Sequence, residues 1–354
     1  MKIITLILGI SVLSCCSAQV DSRMVDSIRH EYHIPELAFA IVTSDSVIQS
    51  YLAGTPILGS GLKAKSSDCF HLGSNTKAVT AFIAGDLVKQ GKLKWDTRFF
   101  ELFPELEPTS NKAYKKITLE MLLTYRGKVP PYTYTFEQPY PQDIKGKYNQ
   151  QRYLVAQYFL QQKPMKDENG LTRSNVDYIL AGLMIEKASG KSYEELLHEL
   201  GNRLHIHFGI NPPATNDSLQ VHGHDSENKP VVATDLTKLN WLLCAGNVHI
   251  NLRDYQVFIQ EELKSLNGNS ELFTRDEMNK ILFGFPHFSM GWFNFEEGDI
   301  HIAHNAGNAA NFRSDVRIIK EKNCAIIVLM NASGETQIMG MQLLIDKLNA
   351  SINN

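Results

Sequence analysis

Strand-like runs lie at both ends of this chain and helical runs fill its middle, a distribution that constrains the fold more than any single motif. Residues 37–42 and 47–51 are apolar or alternating, and Thr43-Ser44-Asp45-Ser46 supplies turn residues between them, the pattern of a hairpin. Before them, residues 21–32 have the spacing of a charged amphipathic helix. After Asn240 the runs 288–293, 300–304, 312–319 and 324–330 again read as strands, and a closing helix is expected over 337–348. In between, helical spacing over 119–123, 153–160, 176–188 and 193–200 is separated by long irregular stretches. Strands at both ends with helices between predict an α/β domain built from residues 21–95 and 241–354, with a mainly helical domain, 96–240, inserted.

A length of 354 residues suits one large domain or two interleaved ones, and 43% apolar with 21% charged residues is ordinary globular composition. A formal charge of −3 with no basic run argues against nucleic acid as a partner. Lys2, the apolar run 3–13 and the small residues Ser14 to Ala18 have the layout of a secretory signal, too short to span a bilayer. Residues 1–18 are therefore expected to direct export to the periplasm or cell envelope. Cleavage after Ala18 is one reading. The other takes Val12-Leu13-Ser14-Cys15 as a lipoprotein box and leaves an acylated Cys15 as the membrane anchor. Cys69, Cys244 and Cys324 are too widely spaced for a disulfide framework, and their apolar neighbours predict buried thiols.

The chemistry is expected at Ser74-Asn75-Thr76-Lys77. Ser-x-x-Lys occurs three times, at Ser60/Lys63, Ser74/Lys77 and Ser226/Lys229, but only the second opens a helix, with Val79, Phe82, Ile83, Leu87 and Val88 at helical spacing. Ser74 as a simple N-cap is the alternative. Residues three apart share a helix face, so Lys77 stands beside the Ser74 hydroxyl. A lysine held neutral there can take the serine proton, and first-turn N–H groups can hold an oxyanion. No metal site and no cofactor are expected. His205-Ile206-His207 and His222-Gly223-His224-Asp225 lack the histidine that a His-x-His-x-Asp-His signature needs after its aspartate. Asp96 and Glu105 read as surface or capping carboxylates. The run Pro130 to Phe136 with Pro139-Tyr140-Pro141 reads either as a packed surface loop or as a wall of a substrate cleft.

From about residue 25 to 335 the chain resembles the serine β-lactamase and penicillin-binding-protein superfamily, in its class C β-lactamase, D-alanyl-D-alanine carboxypeptidase and esterase branch. The resemblance runs through Ile34-Pro35-Glu36-Leu37-Ala38-Phe39, Phe70-His71-Leu72-Gly73-Ser74-Asn75-Thr76-Lys77, Ile117-Thr118-Leu119-Glu120-Met121-Leu122 and Ser174-Asn175-Val176-Asp177-Tyr178. It ends with His304-Asn305-Ala306-Gly307, Phe312-Arg313-Ser314 and Ile326 to Asn331. The fold it implies is an antiparallel sheet flanked by helices with an inserted helical domain. Ser74 would be the acylated nucleophile and Lys77 its proton partner. Asn175 would bind a substrate carbonyl, His304 would open the third motif, and Gly307 would lend an oxyanion N–H beside that of Ser74.

The second motif departs from the family. Arg173 stands where relatives carry a tyrosine that works as acid or base, and a guanidinium, with a pKa above about 12, moves no proton. As a neighbouring cation Arg173 would depress the Lys77 pKa and attract a substrate carboxylate, counting it among the substrate-binding residues; alternatively it marks a lineage that binds without turnover. Ala306 replaces a family glycine, one residue is inserted before Phe312, and Thr124-Tyr125-Arg126-Gly127 stands for the usual Thr-His-Thr/Ser-Gly. The function expected is an exported serine hydrolase that forms an acyl-enzyme with a β-lactam, a D-Ala peptide or a small ester. The alternative is an impaired relative that binds a peptide or cell-wall fragment. A small molecule or peptide is the partner in either case.

Overall fold

The computed structural model describes residues 20–353 other than 134, 136, 137, 168 and 216. The export segment expected over residues 1–18, with Cys15, lies outside the described residues. So do Tyr134 and Phe136 of the proline- and tyrosine-rich stretch.

Among the described residues, six strands form one antiparallel sheet. Their spatial order is Val47–Gly54, Glu36–Thr43, Cys324–Met330, Phe312–Ile319, Ile300–Ala309 and Phe293–Glu297. The two central strands, Glu36–Thr43 and Cys324–Met330, are buried along their whole length. Alternation along a strand sorts their side chains to two faces. Leu37, Phe39 and Ile41 meet Val25, Ile28, Leu344 and Leu348 of the helices Ser22–Glu31 and Glu335–Asn353. Ala38, Ala40 and Val42 turn the other way into the main core, and their small side chains admit the helix Leu252–Leu266 close to the sheet. Cover on both faces explains why these strands read as continuous apolar runs. The fold class is therefore the mixed α/β one expected, an antiparallel sheet between helical layers.

On the main-core side lies the helix Thr76–Lys89, apolar on nearly every side and buried from Thr76 to Gly85. A helix of that composition belongs at the centre of a large core. The helix Asn175–Ser189 crosses it, and one apolar cluster joins both to the sheet. Residues Gly209–Ile210 pair with Val248–Asn251, which in turn pairs with Cys69–His71, so a second small sheet ties the 96–240 stretch to its flanks.

Two expectations after Asn240 need correction. Residues 288–292 are a turn, not a strand: Gly291 has φ of 85°, Ser289 N–H donates to the Trp292 carbonyl at 2.8 Å, and the strand begins only at Phe293. The stretch read as returning to strands also contains two helices, Leu252–Leu266 and Arg275–Phe283. Each carries its own start signal. Asn251 accepts from the Asp254 N–H at 2.9 Å, and Thr274 forms a capping box with Glu277. The residue inserted before Phe312 belongs to the tight turn Ala310-Asn311, with φ of 50° and 61°, the left-handed pair that a two-residue hairpin requires.

Candidate active site

The nucleophile segment is shaped by contact with the sheet edge. Gly73 has φ of 51°, and a methyl there would lie 2.6 Å from the Asn308 nitrogen. Only glycine fits a left-handed residue with backbone pressed against it. Gly307 on the Ile300–Ala309 strand is equally tight, since a methyl would meet the Leu72 carbonyl oxygen at 1.9 Å. The Phe293–Glu297 strand pairs only with residues 300–304, which leaves 305–309 free to lie along this turn. Asn305 fastens the contact: its Nδ2 donates to the Ser74 carbonyl at 3.2 Å and to the Gly291 carbonyl at 2.6 Å. Below it, Asn75 Nδ2 donates to Ser314 Oγ at 2.6 Å, and Ser314 Oγ donates to the Leu72 carbonyl at 2.7 Å.

Within the buried run from Phe70 to Gly85, Ser74 alone reaches a partly open surface. It sits on the 3-10 turn Gly73–Asn75 that leads into the helix Thr76–Lys89. Lys77 Nζ donates to Ser74 Oγ at 3.1 Å and to the Ala245 carbonyl at 2.7 Å, and it lies 5.4 Å from the centre of the Tyr178 ring. Burial drives its pKa from 10.5 down to about 7, against an opposing pull from Asp177. Near neutral pH this lysine is in large part a free amine. The other two Ser-x-x-Lys matches are surface loops: Ser60 Oγ donates to the Ile57 carbonyl, and Lys229 pairs with Glu227.

A cavity of about 180 Å³ opens over Ser74, lined by Thr133, Asn175, Leu239, Leu242, Asn308 and neighbouring residues. Asn175, the first residue of the helix Asn175–Ser189, donates from Nδ2 to the Tyr132 carbonyl at 2.7 Å. Ser174 caps that helix and also donates to the Pro130 carbonyl at 2.7 Å. The proline- and tyrosine-rich stretch is thus tied to the second motif and supplies Thr133 to the cavity wall.

Arg173 is placed elsewhere. Its guanidinium lies over the Phe293 ring at 4.9 Å, and the residue lines a separate groove of about 520 Å³ with Pro131, Lys166 and His287. The low pKa of Lys77 therefore has a different cause from the one expected, since burial produces it and Arg173 does not contribute. Replacing Arg173 by alanine is expected to leave the midpoint of the Lys77 titration, followed by NMR at the lysine Cε, where it is in the parent. Movement of that midpoint to higher pH would restore the like-charge account.

The third motif meets the nucleophile turn through other residues than its first. His304 turns to Asp315, with Nε2 2.8 Å from Oδ2, while Asn305 reaches Ser74 and Asn308 lines the cavity. Gly307 lies at the closest approach. The roles of Asn305 and Ser314 do not follow from the motifs in which they stand, because the period of a strand does not say which face meets the nucleophile. Two of the histidines in the His205-Ile206-His207 and His222-Gly223-His224-Asp225 runs have ring partners: His224 Nδ1 lies 3.0 Å from the Asn331 carbonyl and its Nε2 accepts from the Leu58 N–H, and His222 Nε2 lies 3.1 Å from the Ser218 carbonyl. Glu105 accepts from the Tyr153 hydroxyl.

The Beta-lactamase family model matches residues 22–345. Protein flp of Staphylococcus aureus (strain N315) is 23% identical over 345 residues, covering 96% of this chain and 67% of its own, so the chain spans about two thirds of that relative. The D-alanine carboxypeptidase AmpC from Burkholderia cenocepacia superposes with a TM-score of 0.71 at 18% identity, over 92% of this chain and 97% of that one. The octameric penicillin-binding protein homologue from Pyrococcus abyssi gives 0.71 at 18% identity, over 92% and 78%. At such identities the structural likeness speaks to the fold.

Proposed function

The chain belongs to the Beta-lactamase family, and from that premise we propose that it is an exported serine hydrolase that forms an acyl-enzyme on Ser74. The observation that carries the reading is the 3.1 Å contact between Ser74 Oγ and a buried Lys77 whose pKa lies near 7. In the free-amine form Lys77 takes the Ser74 proton as Oγ attacks a substrate carbonyl, and the ammonium so formed returns the proton to the leaving group. The Ser74 N–H, a first-turn donor without an intrahelical acceptor, and the N–H of Asn308 are the expected oxyanion donors. Gly307, the residue expected to supply the second, pairs with Ser314 across the hairpin, so that its N–H faces the ladder and that of Asn308 faces the nucleophile turn. Asn175 orients the acyl carbonyl. Leu239, Leu242 and Ala309 around the cavity suit a small acyl portion, which keeps a β-lactam, a D-Ala peptide and a small ester as the substrate classes. Export rests on the layout of residues 1–18.

A second reading, binding without completed turnover, is favoured by Arg173. Family members use a tyrosine at that position, whereas this guanidinium stacks on Phe293 and lines another groove. Acylation has its base in Lys77, and hydrolysis of the acyl-enzyme lacks the tyrosine. The test is labelling with a fluorophosphonate and a fluorescent penicillin, with Ser74→Ala as control. A Ser74-dependent adduct that persists for many minutes is the expected result. Absence of such an adduct with both probes overturns the enzyme reading.

A further inference from the structure

Shortly before Ser74 stands a histidine that the proposed mechanism does not use. His71 ends the strand Cys69–His71, is fully buried, and packs beside the Phe312 ring with centres 6.3 Å apart. Both of its ring nitrogens are engaged. Nδ1 lies 3.2 Å from the Gly73 nitrogen, and Nε2 lies 3.1 Å from Asn247 Oδ1. The Gly73 amide can only donate, so Nδ1 carries no proton and Nε2 carries the one that Asn247 accepts. Asn247 is oriented in turn, because its Nδ2 donates to Asn211 Oδ1 at 2.9 Å and its carbonyl accepts from the Asn211 N–H at 3.1 Å. One tautomer is therefore dictated from both sides. Burial keeps the ring neutral by pushing its pKa from 6.5 down to about 4.

We propose that His71 is a positioning residue for the nucleophile turn: it fixes the peptide that presents the Ser74 N–H to the cavity and joins that turn, through Asn247, to the segment that holds Lys77. The inference rests on the reading of Ser74 as the nucleophile and of its N–H as an oxyanion donor. Gly73 has φ of 51°, a conformation that glycine enters and leaves at little cost, so the turn needs an outside hold. The bond to Nδ1 pins the Gly73 N–H. The next peptide then lies against Gly246, where an added methyl would stand 3.6 Å from the Gly73 carbonyl carbon and 3.9 Å from the Ser74 nitrogen. Residues 245–248 grip the same segment again on either side of Ser74. The Ala245 carbonyl accepts from Lys77 Nζ at 2.7 Å, the Val248 carbonyl from the Leu72 N–H at 2.8 Å, and Thr76 Oγ1 from the Val248 N–H at 3.2 Å. The nucleophile, its N–H and the amine that deprotonates it are thus set from one short stretch, and His71 is the link to the oxyanion side.

Two substitutions separate the two bonds. In His71→Asn the side-chain Oδ1 takes the place of Nδ1 and still accepts from Gly73. In His71→Gln the amide nitrogen takes the place of Nε2, and the acceptor for Gly73 is lost. The dependence of Ser74 labelling on fluorophosphonate concentration resolves probe binding from the rate constant at saturation. In His71→Gln that rate constant is expected to fall by about ten- to a hundredfold, the scale of a small misplacement in a positioned site, with probe binding unchanged. His71→Asn is expected to recover most of the loss. Rate constants equal to the parent's in both variants, or equal losses in both that follow the melting temperature, overturn the proposal and leave His71 a structural residue. In the unaltered protein, the nitrogen NMR shifts of the His71 ring from about pH 5 to 8 are expected to show Nδ1 bare and Nε2 protonated. The opposite tautomer overturns the proposal without any variant having to fold. A parent that takes no label from either probe counts instead against the hydrolase reading, and the ring nitrogens, with hydrogen exchange of the Gly73 amide in the two variants, then decide whether His71 fixes the turn.

Discussion

Replacing Lys77 by methionine is expected to lower the rate of Ser74 labelling by roughly 10²–10⁴-fold, the usual worth of a positioned general base, and to raise the stability of the protein. The two effects oppose each other because function requires an amine where the core prefers a hydrocarbon. The fall in the Lys77 pKa from 10.5 to about 7 corresponds to roughly 5 kcal/mol. That figure is an upper bound on what methionine recovers, because the bonds to Ala245 and Ser74 are lost with the amine. Below pH 7 the lysine is charged in both the folded and the unfolded chain, and the folded state bears the full cost of burial, so the advantage of methionine is greatest there. Between pH 7 and 10.5 the unfolded chain binds more protons at this site than the folded one. Stability of the parent then rises with pH and the gap closes. Melting temperatures of both proteins from pH 6 to 10, with labelling rates alongside, check the prediction. A variant that loses labelling and melts lower at every pH would make Lys77 an anchor of the helix pair instead of a strained base.

Gly307→Ala is expected to reduce labelling by about 10²–10³-fold, the effect of losing one oxyanion donor, and to destabilise the fold by about 1–3 kcal/mol through overpacking. The added methyl would fall 1.9 Å from the Leu72 carbonyl oxygen and 2.5 Å from Ser314 Oγ. Neither atom can yield cheaply. The hydroxyl is held between Asn75 Nδ2 and the Leu72 carbonyl, and Leu72 N–H is itself bonded to the Val248 carbonyl at 2.8 Å. Relief comes only when the Ile300–Ala309 strand moves off the nucleophile turn and takes its N–H groups with it. Gly298→Ala is the matched control, with φ of 62° and nothing within 4 Å of the added methyl. It should cost only the backbone strain of about 1 kcal/mol and leave labelling intact. Equal labelling in both variants would mean that this strand does not shape the site.

Much of the frame is legible along the chain because it depends on neighbours in sequence. The hairpin near the N-terminus shows in its alternation and its Thr43 to Ser46 turn, and the end of the nucleophile helix shows in Gly91, whose φ is 71°. The helices Leu252–Leu266 and Arg275–Phe283 were equally available from Asn251 and Thr274 as caps and from the spacing of Leu252, Tyr255, Ile259 and Leu266. Residues 288–292 are apolar enough for a strand, yet the left-handed Gly291 bends them into a turn whose backbone lies against Lys77 and Ala78. That contact is between segments more than two hundred residues apart.

By itself the sequence determined which residues could do chemistry here. A serine and a lysine three apart at the start of a helix share a face whatever surrounds them, and helical geometry is local. It equally determined the α/β class, since strand and helix periods are properties of short windows. Only the tertiary structure decided how basic Lys77 is, because burial and the charge of Asp177 come from the helix Asn175–Ser189 and the residues around Ala245. It also decided that Arg173 stacks on Phe293 and that Asn305, not His304, holds Ser74. The direction of a side chain outside a helix is set by what packs against it, and desolvation belongs to the whole enclosure.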